Sequence, residues 1–184
     1  IKFINIKKKK IFNHIPVYFN NLENKIKIKT FKSNISNKNI IITPEKNKFE
    51  IFLFINLIFD ILKIDNKIKI ILKLHPGTDK LTINEIKKKS KNKFFVSIKD
   101  KNFKISNCSI LIHRGSSYSY KFTKYNLIPM YYNFDHINYN YDINPLKILN
   151  FKLLKFNNAK NLIKNLNNLK SPRNKKLKSV NRKI

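Results

Sequence analysis

Two short runs in this sequence combine residue types able to hold an anion. His75-Pro76-Gly77 ends an apolar stretch, Lys67 to Leu74 (KIKIILKL). Pro76 biases His75 towards an extended backbone, and Gly77 admits close approach. An imidazole in that place can donate a hydrogen bond to a phosphate or a ribose hydroxyl and steady a departing phosphate. Arg114-Gly115-Ser116-Ser117 ends a second apolar stretch, Cys108 to His113 (CSILIH). Gly115 lets the backbone come near a ligand, Ser116 and Ser117 offer hydroxyls at a helix start, and Arg114 adds charge. The free N–H groups of a helix start favour a phosphate. Each run also has a plainer reading: His75 can simply close a loop, and Ser116 or Ser117 can be an ordinary helix cap after a tight turn. The pair is more specific than either run alone. Neither is a Walker loop, which needs a longer glycine loop and its Lys.

The remaining candidates are weaker. Glu45 can accept ribose hydroxyls or cap the helix that follows. Glu50 reads as a first-turn helix residue, His113 as a hydrogen-bonded core histidine and Cys108 as plain core. Asp135 and His136 complete a Ser–His–Asp set only on paper, because nothing fixes their spacing. Asp142 to Leu146 (DINPL) reads as an exposed turn. No Cys/His cluster has zinc spacing, and one cysteine gives no disulfide framework.

Periodicity supplies the elements that must position these residues. Asn39 to Thr43 (NIIIT) is a β-branched strand, followed by a helix from about Asn47 to Ile64. Lys67 to Leu74, Phe94 to Ile98, Cys108 to His113 and Leu127 to Tyr132 are further strands. Thr82-Ile83-Asn84-Glu85 has the spacing of a capping box with Thr82 as N-cap, opening a helix to about Lys91. A helix from about Ser117 to Tyr125 carries Tyr118, Phe122 and Tyr125 on one face. Ala159, Leu162, Ile163, Leu166 and Leu169 trace one face of a last helix. Strand and helix alternate, and the strands are near-continuously apolar, as in a parallel sheet covered on both faces. The fold class predicted is α/β, a doubly wound, Rossmann-like parallel sheet. Ligands of such sheets bind beyond the carboxyl ends of the strands, where both glycines of the chain, Gly77 and Gly115, fall.

The organisation predicted is residues 1–38 as the tail of a missing N-terminal domain plus linker, 39–170 as the Rossmann-like domain and 171–184 as a basic, disordered tail. A start at Ile1 rather than Met suggests a fragment. The chain carries 40 Lys+Arg against 10 Asp+Glu, a formal charge of +30. That charge invites a nucleic-acid reading, but 31 Ile, 29 Asn, one Ala and two Gly are what an AT-rich coding sequence produces. Lys is spread along the whole chain instead of concentrating with Arg and aromatics on one face, so no specific nucleic-acid site is expected. The most apolar run, Phe49 to Ile64, is shorter than the ~20 residues of a membrane span. Its Asn56, Asp60 and Lys63 form a polar stripe on an otherwise apolar helix.

The run Ile71 to Gly77 (ILKLHPG) resembles the histidine-proline motif of GT-B-type glycosyltransferases. Cys108 to Ser117 (CSILIHRGSS) with Leu127 to Tyr132 (LIPMYY) resembles their serine motif and the strand after it. Ile40 to Glu50 (IIITPEKNKFE) is similar to the strand and acidic helix start that precede them. Bacterial surface-polysaccharide transferases related to sialyl- and polysialyltransferases are the family named by this likeness, which covers roughly Asn39 to Leu146. It implies the C-terminal, donor-binding half of a GT-B architecture. His75, with Pro76 and Gly77, would contact the donor nucleotide. Ser116 and Ser117, with Arg114 and Gly115, would bind its phosphate, and Glu45 would line the same cleft. It implies a CMP- or UDP-linked sugar as substrate, no other cofactor, no metal and a glycan or lipid-linked acceptor. The general base would lie in the missing N-terminal half. The setting implied is cytoplasmic, at the inner face of the cell membrane, with peripheral membrane contact allowed. Lys46 stands where some relatives have Gly.

Two alternatives stay open. One is a polyol-phosphate transferase or a sugar-nucleotide epimerase of related fold. The other is a non-catalytic basic module binding nucleic acid or anionic membrane through distributed lysines, with steep salt dependence.

Overall fold

The computed structural model describes residues 39–99, 108–121, 127–134, 146 and 154–170. The expectations for 1–38, Phe122, Tyr125, Asp135, His136, Asp142 to Pro145 and 171–184 fall outside them. The element order is β1 (Asn39–Thr43), α1 (Lys48–Ile64), β2 (Lys69–Lys73), α2 (Lys80–Ser90), β3 (Phe95–Ser97), β4 (Ile110–His113), a 3-10 helix (Ser117–Lys121), β5 (Ile128–Tyr132), β6 (Leu154–Phe156) and α3 (Ala159–Lys170). The six strands form one sheet in the order β3-β2-β1-β4-β5-β6, and every pair is parallel. The predicted doubly wound, Rossmann-like α/β sheet is therefore present.

Hydrophobic burial sets which face each helix covers. Ile40 and Ile42, Ile70, Leu72 and Leu74, Ile110 and Ile112, and Ile128, Met130 and Tyr132 alternate onto one face of the sheet. There they meet Ile51, Phe54, Ile55, Ile58 and Ile61 of α1, Ile83 and Ile86 of α2, and Leu162 and Leu166 of α3. Helix α1 holds five Ile and four Phe, types that each cost a few tenths of a kcal/mol in helix propensity. Burial outweighs this, at about 1.5–3 kcal/mol for each fully covered side chain. Asn47 starts α1 by accepting the Phe49 N–H at 2.9 Å, and Asp65 ends it with its N–H on the Ile61 carbonyl at 2.9 Å.

Helix α2 differs from the sequence expectation. Its N-cap is Asp79, which accepts the Thr82 N–H at 2.8 Å; Thr82 is a buried residue inside the helix rather than its cap. Asp competes well for that place, and the turn after Pro76 delivers it one residue ahead of Lys80. Glu85 does not reach back but pairs with Lys48 and Lys89. Strand β6 was not anticipated: three residues are too few for a periodic signal. The helix expected from Ser117 is a single 3-10 turn as far as Lys121.

Candidate functional site

The strand order reverses direction between β1 and β4. The chain winds outward through β2 and β3 on one side, then through β5 and β6 on the other. In sheets of this kind a ligand crevice lies at such a switch point, here between the loops leaving β1 and β4. The β1 loop, Pro44 to Asn47, brings Glu45; the β4 loop brings Arg114-Gly115-Ser116 and leads into Ser117; the β2 loop beside β1 brings His75-Pro76-Gly77. All eight residues singled out from the sequence thus sit at one edge of the sheet.

Thr43 ties the two switch strands together, donating its hydroxyl to the Ile112 carbonyl at 3.3 Å. Beyond it, Glu45 is half-buried and its N–H donates to Oε1 of Glu50 at 3.0 Å. Glu50 is in the first turn of α1, as expected, but only 5% of it is exposed. Burial pushes its carboxyl up to about 7, against the lowering effect of the Glu45 N–H; the Glu45 charge adds to the rise and Arg114 opposes it. Arg114 is itself buried, 3% exposed, and its Nη1 donates to the Phe134 carbonyl at 3.4 Å.

His75 is exposed, and the Gly77 N–H donates to its Nδ1 at 3.0 Å. An Nδ1 that accepts places the proton of the neutral ring on Nε2, so the ring's donor is the nitrogen on its far side. Gly77 also makes room within its own loop. A Cβ there would stand 3.3 Å from Nδ1 of His75 and 3.6 Å from Cδ of Lys46. What the missing side chain admits is the His75 ring itself. The same contact shows that the β1 and β2 loops adjoin.

In the serine loop, Ser116 accepts the Tyr118 N–H on Oγ at 3.3 Å and the Ser119 N–H on its carbonyl at 3.0 Å. Ser116 therefore caps the 3-10 turn, while Ser117 is exposed. The described turn is a 3-10 helix, Ser117–Lys121, where an α-helix start was expected. Hydroxyls and backbone N–H groups are what this loop offers.

Sequence reasoning missed a polar row on the sheet face away from α1. Pairing sets Ser97 beside Lys73, Thr43 beside His113, His113 beside Tyr131 and Tyr131 beside Lys155; Lys73 lies next to Thr43 one step beyond the Ile42–Leu72 pair. Lys73 is 5% exposed. Its Nζ donates to the carbonyls of Leu74 (3.2 Å) and Ile98 (2.5 Å) and stands 5.2 Å from the Tyr118 ring centre. His113 is fully buried, as expected, and burial lowers its pKa to about 4. Its Nδ1 meets the Arg114 carbonyl at 3.2 Å, which can only accept, so Nε2 carries a bare lone pair. Among the described residues the buried side-chain polar atoms lacking a hydrogen bond are that Nε2, Ser119 Oγ and Thr78 Oγ1. They sit beyond β2 and at the end of β4, the same edge as the crevice. Lys73 carried no signal by type, because Lys69 opens the same strand. The scarcity of carboxylates was the signal for Glu50.

Cys108 is buried, with its thiol pushed up to about 11 by burial. Among the described residues no group of His, Cys, Asp and Glu is arranged to hold a metal ion, and no helix is long and apolar enough to cross a membrane.

Searches against protein-family models and curated proteins found no match. Among solved structures, the chain is similar to UDP-GlcNAc 2-epimerase of Methanocaldococcus jannaschii, determined in complex with UDP-GlcNAc and UDP. Identity is 18% and the TM-score 0.47, over 85% of this chain and 46% of that one. The chain spans about half the length of that structure. A likeness at this level bears on neither substrate nor reaction.

Proposed function

We propose that residues 39–170 form the nucleotide-sugar-binding half of a GT-B-type glycosyltransferase acting in cell-surface polysaccharide synthesis. One observation carries this reading. The strand order reverses between β1 and β4, and the Glu45 loop, the His75 loop and the Ser116-Ser117 loop all leave the sheet at that edge. Three chemistries meet there that a sugar nucleotide requires. A carboxylate (Glu45) can accept ribose hydroxyls. An imidazole whose proton is directed to Nε2 by Gly77 can donate to a phosphate oxygen. A loop with an exposed hydroxyl (Ser117) can do the same, beside two buried cations, Arg114 and Lys73. The motif resemblance supplies the transferase class. The donor would be CMP- or UDP-linked, the acceptor a glycan or lipid-linked glycan. The acceptor site and general base would come from a complementary half. This reading carries a cytoplasmic setting at the inner face of the membrane.

The test is calorimetry at moderate salt with CMP, CDP, UDP and UDP-sugars on the wild type, His75→Ala and Ser117→Ala. A charge-assisted hydrogen bond contributes about 1.5–3 kcal/mol, so each variant should lose about 10- to 150-fold in affinity for one preferred nucleotide. Unchanged affinity in both variants overturns the site. Equal, salt-sensitive binding of every nucleotide overturns the reading in favour of distributed lysines. Epimerisation of a UDP-sugar without an acceptor would reassign the reaction while keeping the site.

A further inference from the structure

The serine loop has little local structure to hold it. Its 3-10 helix, Ser117–Lys121, is five residues long, and such turns have poorer hydrogen-bond geometry than an α-helix. Ser116 supplies two of its bonds, accepting the Tyr118 N–H on Oγ at 3.3 Å and the Ser119 N–H on its carbonyl at 3.0 Å. The turn also buries Ser119 Oγ without a hydrogen bond, which costs free energy. A tertiary contact must therefore help to set where the Ser116 and Ser117 hydroxyls stand.

That contact comes from a strand two places away. Lys73 belongs to β2, the serine loop follows β4, and β1 lies between them. Adjacent strands are about 4.8 Å apart, so roughly 10 Å of sheet separates the two. The Lys73 and Tyr118 side chains close this gap, with Nζ 5.2 Å from the ring centre. The ammonium is itself fixed, donating to the carbonyls of Leu74 at 3.2 Å and of Ile98, just after β3, at 2.5 Å. One side chain thus joins the ends of β2 and β3 to the residue that follows Ser117. Lys73 is 5% exposed, and burying its ammonium costs free energy that an apolar side chain would not. Resting on the proposed nucleotide-sugar site, we propose that Lys73 is a positioning residue of that site, holding the serine loop through the face of the Tyr118 ring so that Ser116 and Ser117 are set for a ligand phosphate.

The contact acts on binding through populations. A phosphate that needs the loop in one place binds with an affinity scaled by the fraction of molecules that hold it there. A desolvated cation over an aromatic ring biases that fraction by up to about thirtyfold. The ring face makes the contact, not the phenol hydroxyl, so phenylalanine can replace Tyr118 and leucine cannot. The competing account is that Lys73 acts on the ligand by its field alone. It makes the opposite statement about Tyr118→Leu, which keeps the charge.

The experiment joins amide hydrogen exchange, read by NMR on the full chain, to calorimetry with UDP-GlcNAc and CMP. Exchange needs no ligand, so it tests the tether apart from the site. In Lys73→Met and in Tyr118→Leu, the Tyr118 and Ser119 amides that Ser116 holds should exchange about three- to thirtyfold faster. The Ile41 and Leu111 amides of the central strands β1 and β4 should keep the wild-type rate. Affinity for the preferred nucleotide should fall by about three- to tenfold in both variants. The double variant should lose no more than the larger single loss, and Tyr118→Phe should stay within about twofold of the wild type in both measurements. Unchanged exchange at Tyr118 and Ser119 in both variants overturns the proposal and leaves the nucleotide site standing. So does full affinity in Tyr118→Leu beside weak binding in Lys73→Met, which assigns Lys73 to a field effect. Acceleration that extends to Ile41 and Leu111 shows a general loss of stability and overturns it as well. Faster exchange confined to the serine loop, where the wild type binds neither UDP-GlcNAc nor CMP, keeps the tether and overturns the nucleotide reading.

Discussion

Gly77→Ala is the substitution that best separates the crevice from the fold that carries it. The glycine has no left-handed backbone to protect, so alanine is conformationally allowed. Restricting the unfolded chain should then stabilise by about 0.4–1 kcal/mol. The cost comes from contact. The new Cβ would lie 3.3 Å from Nδ1 and 3.5 Å from Cε1 of His75, so the ring must move by a few tenths of an ångström. His75 is exposed, so its ring can give way. The movement lengthens and weakens the 3.0 Å bond from the Gly77 N–H, which is worth about 0.5–1.5 kcal/mol when intact.

These opposed quantities nearly cancel. A domain of this size shifts by about 2–4 °C per kcal/mol, so the melting temperature should stay within about 3 °C of the wild type. Binding has no such cancellation. With the Gly77 N–H bond to Nδ1 weakened, the ring loses orientation and part of the bias that keeps the proton on Nε2. Affinity for the preferred nucleotide should fall by about three- to thirtyfold, short of the loss in His75→Ala. Calorimetry and thermal melting on the same samples decide it. Weak binding in His75→Ala with full affinity in Gly77→Ala would refute the argument that this glycine exists to seat the ring. A large drop in melting temperature would show that the loop, and not the ring, is what Gly77 serves.

Three further substitutions follow from other parts of the structure. Glu50, favoured neutral in the fold, adds stability that is complete below pH 4.5 and lost as pH rises to about 7; His113 adds stability that is complete above pH 6.5 and lost as pH falls to about 4. The slopes oppose one another, so urea unfolding of Glu50→Gln should gain roughly 2–3 kcal/mol relative to the wild type between pH 4.5 and 6.5, and a constant difference would refute the assignment. Lys73→Met keeps the buried stem but removes the charge, and calorimetry should show nucleotide affinity lowered by about three- to tenfold with the far-UV spectrum unchanged. Lys91 and Asn92 end α2 with φ of 41° and 61°, left-handed values that glycine adopts more cheaply, so Lys91→Gly should raise unfolding stability by about 0.5–1 kcal/mol and leave binding untouched.

The parts of this molecule that were legible are those in which composition drift left contrast. Ile, Lys and Asn dominate the sequence, and an apolar run bounded by Lys and Asn still reads as a buried strand. Five of the six strands and three α-helices could therefore be placed from the residue pattern alone, and with them the carboxyl edge. Rare residue types marked that edge more sharply, since Gly77, Gly115, His75 and Arg114 stand out against a background without them. The same drift concealed what lay beneath. One Lys among dozens carries no signal by type, yet Lys73 is a buried cation because its strand position turns it inward beside Thr43 and Ser97. Glu50 was visible as a first-turn acid, but the bend of its carboxyl back to the Glu45 N–H depends on a loop whose path is set by tertiary contacts. The capping spacing at Thr82 failed for a related reason. A local pattern names residues able to cap, and the preceding turn decides which arrives first, here Asp79. Residue type thus located the edge where chemistry can occur. Burial, which depends on long-range packing, determined which charged groups leave the water there, and Glu50, Lys73 and Arg114 are its product.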